Sequence, residues 1–180
     1  MEKRWNVHRL IPLPILLGLI LACGAVFAYM FMRTDSGVAQ FIPAKVTCEV
    51  YDEVAGNQLN EVTAKNTGNI PAYLRVRMVT YWVDGDGNVV PKPSPALVIT
   101  HDNSKWLAGS DNTFYYRTMV DPNEVTTDLF AADAYIQLIE DGVYKQRVDV
   151  FGEAIQAKPA AAATSSWGVT ITGEEITAAP

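Results

Sequence analysis

The chain has 180 residues, a formal net charge of −6 and a hydrophobic fraction of 49%. An acidic chain is poorly suited to bind nucleic acid or to adhere to anionic lipid through charge. Its length is that of about one domain, and a domain near this size buries roughly 70% of its unfolded surface, enough for a core without disulfides.

The N-terminus is predicted to be a secretory signal peptide over residues 1–28. A basic head is followed by a long apolar run without any charge. Val26 and Ala28 are small, as the positions before a signal-peptidase cut require, so cleavage by a signal peptidase is expected between Ala28 and Tyr29. Cleavage there leaves residues 29–180, about one domain's worth of chain.

The apolar run leaves two alternatives open. Residues 11–32 reach the ~20 residues that cross a bilayer, and the basic head would stay inside by the positive-inside rule, so an uncleaved membrane anchor is one alternative. Lipidation at Cys23 is the other, although Leu21 fits poorly two residues before a lipidated cysteine. Every version exports the rest of the chain, so we expect an extracellular or cell-surface location.

From Lys45 onward, β-branched and aromatic residues alternate with polar ones between turn signals. This pattern predicts an all-β sandwich or barrel. In chain order, the predicted strands are 46–51, 60–66, 72–84, 97–101, 113–119, 135–139, 144–151 and a last one through Trp167, Val169 and Ile171, with turns at 52–57 and 67–71. The proline-rich stretch 91–95 cannot be an inner strand. Helix is expected only as one turn at 128–132 and as a short helix or linker at 158–166.

The longest predicted strand has one apolar face and one mixed face. Its apolar face carries Leu74, Val76, Met78 and Trp82, and its mixed face carries Tyr73, Arg75, Arg77 and Tyr81. Because arginine rarely lies in a core, we expect the mixed face to meet water or a polar neighbour. From period-two placement the core is predicted to include Val46, Val50, Val62, Leu74, Val76, Met78, Ile136 and Leu138.

Residues 84–88, Asp-Gly-Asp-Gly-Asn, admit two interpretations. They match the opening of a calcium-binding loop, but an EF-hand needs Gly at the sixth position and Glu at the twelfth, where this chain has Val89 and Pro95. A hairpin turn also favours Asp, Gly and Asn, because these residues tolerate positive φ. The turn is favoured, and calcium binding remains the alternative.

Few residues of the exported part can support catalysis. His8 lies in the signal peptide, and one remaining histidine, His101, cannot supply the two-histidine ligand set that zinc hydrolases commonly use. No Gly-x-Ser-x-Gly motif accompanies it. We therefore expect His101 to be an exposed loop residue and predict no catalytic residue, no metal and no cofactor.

Cys48 is the one cysteine of residues 29–180, so no intramolecular disulfide can form there. It alternates with Val46 and Val50, which favours a small buried hydrophobic residue over a reactive or intermolecular thiol.

Three aromatic residues could form a platform that stacks carbohydrate: Trp106, Tyr115 and Tyr116. Aromatic side chains also fill the cores and edges of sandwiches, and that interpretation is favoured.

Several stretches, taken in order, resemble the TasA/camelysin family, exported Firmicutes proteins processed by the signal peptidase SipW. They are residues 41–46, 65–76, 82–88, 106–129 with its Tyr115-Tyr116 pair, 153–157 and 167–169. The likeness extends over nearly the whole chain, and the run Asn-Thr-Gly-Asn-x-Pro-Ala-Tyr that begins at Asn66 is its most specific part.

The resemblance implies a jelly-roll-like antiparallel β-sandwich over residues 45–180 and assembly into biofilm or pilus-like fibres. In fibre-forming members, the mature N-terminal segment completes the sheet of the next subunit. Here that donor segment would be residues 29–44, with Tyr29, Phe31, Phe41 and Ile42 as apolar anchors. Its polar centre, residues 33–37, departs from a continuous apolar strand.

The sequence thus predicts a non-enzymatic structural subunit whose partners are further copies of itself or related matrix subunits. A membrane-anchored surface binding module is the alternative. The family also carries a metallopeptidase label through camelysin, but this sequence has no ligand set to support that activity.

Overall fold

The computed structural model describes residues 43–180, which form a mostly β structure of antiparallel sheets. Its strands are β1 (Cys48–Ala55), β2 (Gln58–Asn66), β3 (Ala72–Val83), β4 (Val89–Val90), β5 (Trp106–Ala108), β6 (Thr113–Tyr116), β7 (Ile136–Gln137), β8 (Lys145–Gln156), β9 (Thr170–Thr172) and β10 (Glu175–Ala178), and its helix is α1 (Ala161–Trp167). The prediction of a mostly β chain with little helix is confirmed.

Sheet 1 has the strand order β1-β2-β7. The turn between β1 and β2 lies at Gly56, whose φ of 65° suits glycine. The turn predicted over residues 52–57 is therefore wrong for most of its length. Asp52 and Glu53 continue the ladder opposite Val62 and Glu61, and the register shifts only after Glu53.

Sheet 2 is built around β3, which confirms the strand predicted over residues 72–84 to within one residue. One edge of β3 pairs with β8 over twelve residues, from Ala72 opposite Gln156 to Val83 opposite Lys145. Its other edge pairs with β6 and β4, and β5 lies beyond β6.

The main core lies between the two sheets, an arrangement consistent with the predicted sandwich. It contains Leu59, Val62 and Ala64 of β2, Leu74, Val76 and Met78 of β3, and Trp106, Phe114, Val120, Leu129, Phe130, Ile136 and Leu138 among others. Six of the eight predicted core residues are buried, whereas Val46 and Val50 are half-buried and pack against the cluster.

The C-terminal cap, residues 158–180, covers part of the outer face of sheet 2. A second apolar cluster forms there from Tyr73, Tyr115, Ala157, Ala163, Trp167, Val169 and Ile176. The mixed face of β3 is therefore divided: Tyr73 is buried under the cap, whereas Arg77 is exposed to water. The prediction that this face meets water or a polar neighbour holds for Arg77, which is exposed, and for Arg75, which contacts Glu153 and the Tyr115 hydroxyl, but not for Tyr73 in the apolar cluster.

Several sequence-based assignments differ from the structure. Residues 97–101 form no strand, and only His101 makes an isolated bridge, to Phe130. Phe130 accordingly lies in extended chain and not in the predicted helical turn. Trp167 is the last residue of α1 instead of part of a strand, because the alanine run carries the helix up to Gly168, where φ is 70°.

Candidate functional site

Among residues 43–180, no strand pairs with the outer edge of β8 over most of its length, so we call this edge open. Ala157 N donates a hydrogen bond to Pro71 O at 3.0 Å on the β3 side, and Gln146 N donates in the opposite direction, to Ile139 O at 2.8 Å. In an antiparallel ladder, backbone groups alternate in direction. Beyond Gln146, the residues with backbone groups directed away from β3 are therefore Val148, Val150, Gly152, Ala154 and Gln156, and no described strand pairs with them.

The outer edge of β1 is open in the same sense. Thr67 N donates to Thr47 O at 2.9 Å, so Thr47 faces β2. Alternation then directs the backbone groups of Cys48, Val50 and Asp52 away from β2. No described strand pairs with that edge.

The two open edges lie on the same side of the layered structure. A Cβ atom on Gly152 would come within 2.4 Å of Val50 Cγ2 and 3.2 Å of Cys48 Sγ. The absence of a side chain at Gly152 is therefore what lets β1 and β8 approach closely.

The loop after β2 fixes the chain just before β1. Lys45 N donates to Asn69 Oδ1 at 2.7 Å, and Asn69 N donates to Lys45 O at 3.0 Å. A Cβ atom on Gly68 would lie 2.3 Å from Lys45 O, so only glycine fits there. This close approach explains the glycine of the Asn-Thr-Gly-Asn run.

Asn66 holds that loop in shape from inside. Its side chain is fully buried and donates from Nδ2 to Ile70 O at 2.9 Å and to Val120 O at 2.8 Å. Its Oδ1 accepts from Gly68 N at 2.9 Å. A buried amide with three partners specifies one loop conformation.

An apolar cavity of about 330 Å³ adjoins the end of β8. It is lined by Ala44, Ile70, Pro71, Gln156 and Lys158. Ala44, which precedes β1, therefore lies close to Gln156, the last residue of the open β8 edge.

The cap is joined to the β8 edge through Arg75. The guanidinium forms an ion pair with Glu153 at 2.7 Å and lies 4.8 Å from the Trp167 ring centre. Arg75 Nη1 also donates to the Tyr115 hydroxyl at 3.2 Å. One arginine therefore connects β3, β6, β8 and α1, a link that sequence periodicity alone did not predict.

Cys48 is half-buried rather than fully buried. Burial, followed by the charge of Glu153, raises the pKa of its thiol. A raised pKa lowers the thiolate fraction at neutral pH, which is unfavourable for a reactive thiol.

His101 is not the exposed loop residue that was predicted. Its ring centre lies 5.2 Å from that of Phe114, and the residue is half-buried. Partial burial and then Arg117 lower the pKa of His101, opposed by Asp102. Among residues 43–180, no three His, Cys, Asp or Glu side chains are grouped so that they could hold a metal ion.

The Asp84 carboxylate is used within its own turn. Its Oδ1 accepts from the backbone N–H of Asp86 and of Asn88, at 3.0 and 2.9 Å. Hydrogen bonds from Asn88 are the main cause of the lowered pKa of Asp84. This arrangement favours the hairpin-turn interpretation of residues 84–88.

The structure agrees with the favoured interpretation of Trp106, Tyr115 and Tyr116 as packing residues rather than as a carbohydrate platform. Trp106 is fully buried, with Nε1 donating to Asp128 O at 3.0 Å, and Tyr115 is buried beneath the cap. Tyr116 is half-buried and meets Trp106 edge-on. Their role is packing.

The predicted signal peptide and donor segment lie outside the described residues, except for Pro43 and Ala44. The cut between Ala28 and Tyr29 and the anchors Phe31, Phe41 and Ile42 thus stay predictions. Within residues 43–180, no helix has both the length and the apolar character of a membrane span.

Comparison with known family models, curated proteins and solved structures gave no match to this chain.

Proposed function

We propose that this chain is an exported cell-surface structural protein, a subunit of extracellular fibres or biofilm matrix that joins its neighbours by strand donation. The observation that carries the proposal is the open edge of β8. Unpaired backbone groups on an edge strand recruit further strands, and an extended segment can satisfy them through main-chain hydrogen bonds.

The position of Ala44 supports the same proposal. Ala44 lies beside Gln156, at the end of that edge. Ala44 is the last residue of the predicted donor segment 29–44, which has the apolar residues Tyr29, Phe31, Phe41 and Ile42. Burying such side chains is worth roughly 1.5–3 kcal/mol each, so the segment favours a groove over water.

Donation to a neighbour makes a heterologous contact, in which edge and segment are different surfaces. Such contacts repeat into filaments when they do not close into rings. The jelly-roll-like topology and the matrix or self-copy partners belong to this proposal and rest on the family resemblance. The export signal and the extracellular location belong to it as well and rest on the pattern of residues 1–28. The proposal includes no catalytic activity.

Deletion of residues 29–40 tests the donor. The exported chain should form filaments in electron microscopy, and the truncated chain should remain a folded monomer with an unchanged far-ultraviolet circular dichroism spectrum. Filaments of the truncated chain would refute strand donation.

A matched pair of proline substitutions tests which edge receives the segment. Val148→Pro removes an N–H that is directed away from β3, so the β3–β8 ladder is retained while the edge is blocked. Asp52→Pro removes an N–H that is directed away from β2, so it blocks the edge of β1 while the β1–β2 ladder is retained. We expect loss of filaments from Val148→Pro and their retention in Asp52→Pro. The reverse result would assign the accepting edge to β1.

A further inference from the structure

The outer face of sheet 1 is acidic. Its rows pair Glu49 with Lys65, Tyr51 with Thr63 and Glu53 with Glu61. Carboxylates directly opposite each other on neighbouring strands repel. Among residues 43–180, neither Glu53 nor Glu61 has a cationic side chain within ion-pair distance.

The outer face of sheet 2 beyond the cap is basic. Its rows pair Arg77 with Phe151, Val79 with Asp149 and Tyr81 with Arg147. Within the described residues, Arg77 and Arg147 form no ion pair. The one acid, Asp149, accepts a hydrogen bond from the Tyr81 hydroxyl at 3.0 Å. A chain of net charge −6 therefore carries a localised positive face.

Both faces also expose large apolar side chains. Phe151 is 53% exposed and Val79 41% exposed on sheet 2, and Tyr51 is 45% exposed on sheet 1. The side chains of a sheet face stand in regular rows, so two such faces can lie against each other.

We propose that the outer face of sheet 2 in one copy of this chain contacts the outer face of sheet 1 in a second copy. Arg77 and Arg147 then lie near the carboxylates of Glu53 and Glu61, which neutralises charges that have no ion-pair partner within residues 43–180 of one copy. Phe151 and Tyr51 lose exposed apolar surface in the same contact.

The contact is heterologous, because each copy presents a different face, and it leaves the edges of β1 and β8 free. It goes beyond the proposed function and does not depend on strand donation. On each face, the three rows of side chains on two strands cover a patch of about 20 Å by 10 Å. The area of this patch is well below the ~800 Å² per partner of a stable interface. A single contact is therefore weak, and repetition along a fibre adds avidity that associates fibres side by side.

Reciprocal charge reversal tests this pairing of faces. Self-association of the exported chain is followed by light scattering and sedimentation at low and high salt, and side-by-side association of filaments by electron microscopy. Arg77→Glu/Arg147→Glu makes both faces acidic, and Glu53→Lys/Glu61→Lys makes both faces basic. Each double variant alone should lose self-association by roughly tenfold or more.

An equimolar mixture of the two double variants should recover association, because each then offers the charge that the other lacks. The control Lys105→Glu/Lys158→Glu makes the same change in net charge outside both faces, in an exposed turn and at the start of the cap, and should behave as the parent chain. High salt should weaken the parent contact through screening.

Three results would overturn the inference. They are absence of salt-sensitive association in the parent chain, an equal loss in the control variant, and failure of the mixture to recover. If only the arginine reversal reduced association, the basic face would bind something other than sheet 1. Loss of filaments after deletion of residues 29–40, with salt-sensitive association retained, would separate this contact from strand donation.

Discussion

Val50 of β1 and Gly152 of β8 lie in direct contact across the two sheets, and a Cβ atom on Gly152 would come within 2.4 Å of Val50 Cγ2. The two sheets thus approach each other closely on the side where, among residues 43–180, both have open edges. The distance between β1 and β8 there depends on Gly152, which has no side chain.

Gly152→Ala should destabilise the domain by about 1–3 kcal/mol, because the added methyl group overpacks the space between β1 and β8. Urea unfolding followed by tryptophan fluorescence measures the effect. Gly85→Ala is the matched control, since no atom lies within 4 Å of its added Cβ. Adding Val50→Ala to Gly152→Ala should recover part of the loss, and strict additivity of the two changes would contradict the contact.

Trp167→Ala should cost about 3–5 kcal/mol, the usual range for a large aromatic residue removed from a buried cluster. Trp167 packs against Tyr115 at 5.8 Å between ring centres and covers the Arg75 guanidinium. Hydrogen exchange should accelerate in β9 and β10, which belong to the cap. Phe151→Ala, on the exposed part of the same sheet face, should change stability much less.

Asn66→Ala should destabilise by at least about 2 kcal/mol, because it removes three hydrogen bonds and leaves Ile70 O and Gly68 N without their partner. Asn60→Ala is the comparison on the same strand, at a half-buried position. Equal losses at the two sites, measured by thermal unfolding, would mean that the Asn66 amide does not hold the loop.

Asp141 should titrate at unusually low pH. Its hydrogen bond with the Lys92 ammonium group and those from the backbone N–H of Tyr144 and Val143 lower its pKa from 3.8 to about 2. Because the folded pKa is the lower one, its stabilising contribution is present above pH 3.8 and is lost as pH falls through about 2. Carbon-13 NMR of the carboxyl group measures the midpoint, and Lys92→Ala should raise it. An unchanged midpoint in that variant would exclude Lys92 as the main cause.

The alternation of residues predicted β3 and most of the core because a half-buried strand has a strict two-residue period. Leu74, Val76 and Met78 are all buried, as that period requires. The same signal failed for residues 97–101, where Leu97 and Ile99 pack against the core without forming a strand. Burial alone produces alternation in an extended segment, whether or not a neighbouring strand provides a ladder.

The features of the candidate site depend on contacts between distant parts of the chain. No local pattern indicates that Gly152 faces Val50, or that the cap buries Tyr73 and leaves Arg77 exposed. The glycine of the Asn-Thr-Gly-Asn run was a visible signal, but its reason, the approach of Lys45 O, lies more than twenty residues away. Sequence periodicity predicts which residues share a face of a strand. Which other parts of the chain cover that face is visible only in the tertiary structure.

The double hydrogen bond between Lys45 and Asn69 has a mechanical consequence. A pulling force that enters the domain at Lys45 along the axis of β1 loads the ladder between β1 and β2 in shear, so that its hydrogen bonds share the force instead of opening one after another. Register pairs extend from Cys48 opposite Asn66 to Ala55 opposite Gln58. In the proposed fibre, a subunit tethered through its N-terminal side would therefore resist extension with the whole length of a hairpin.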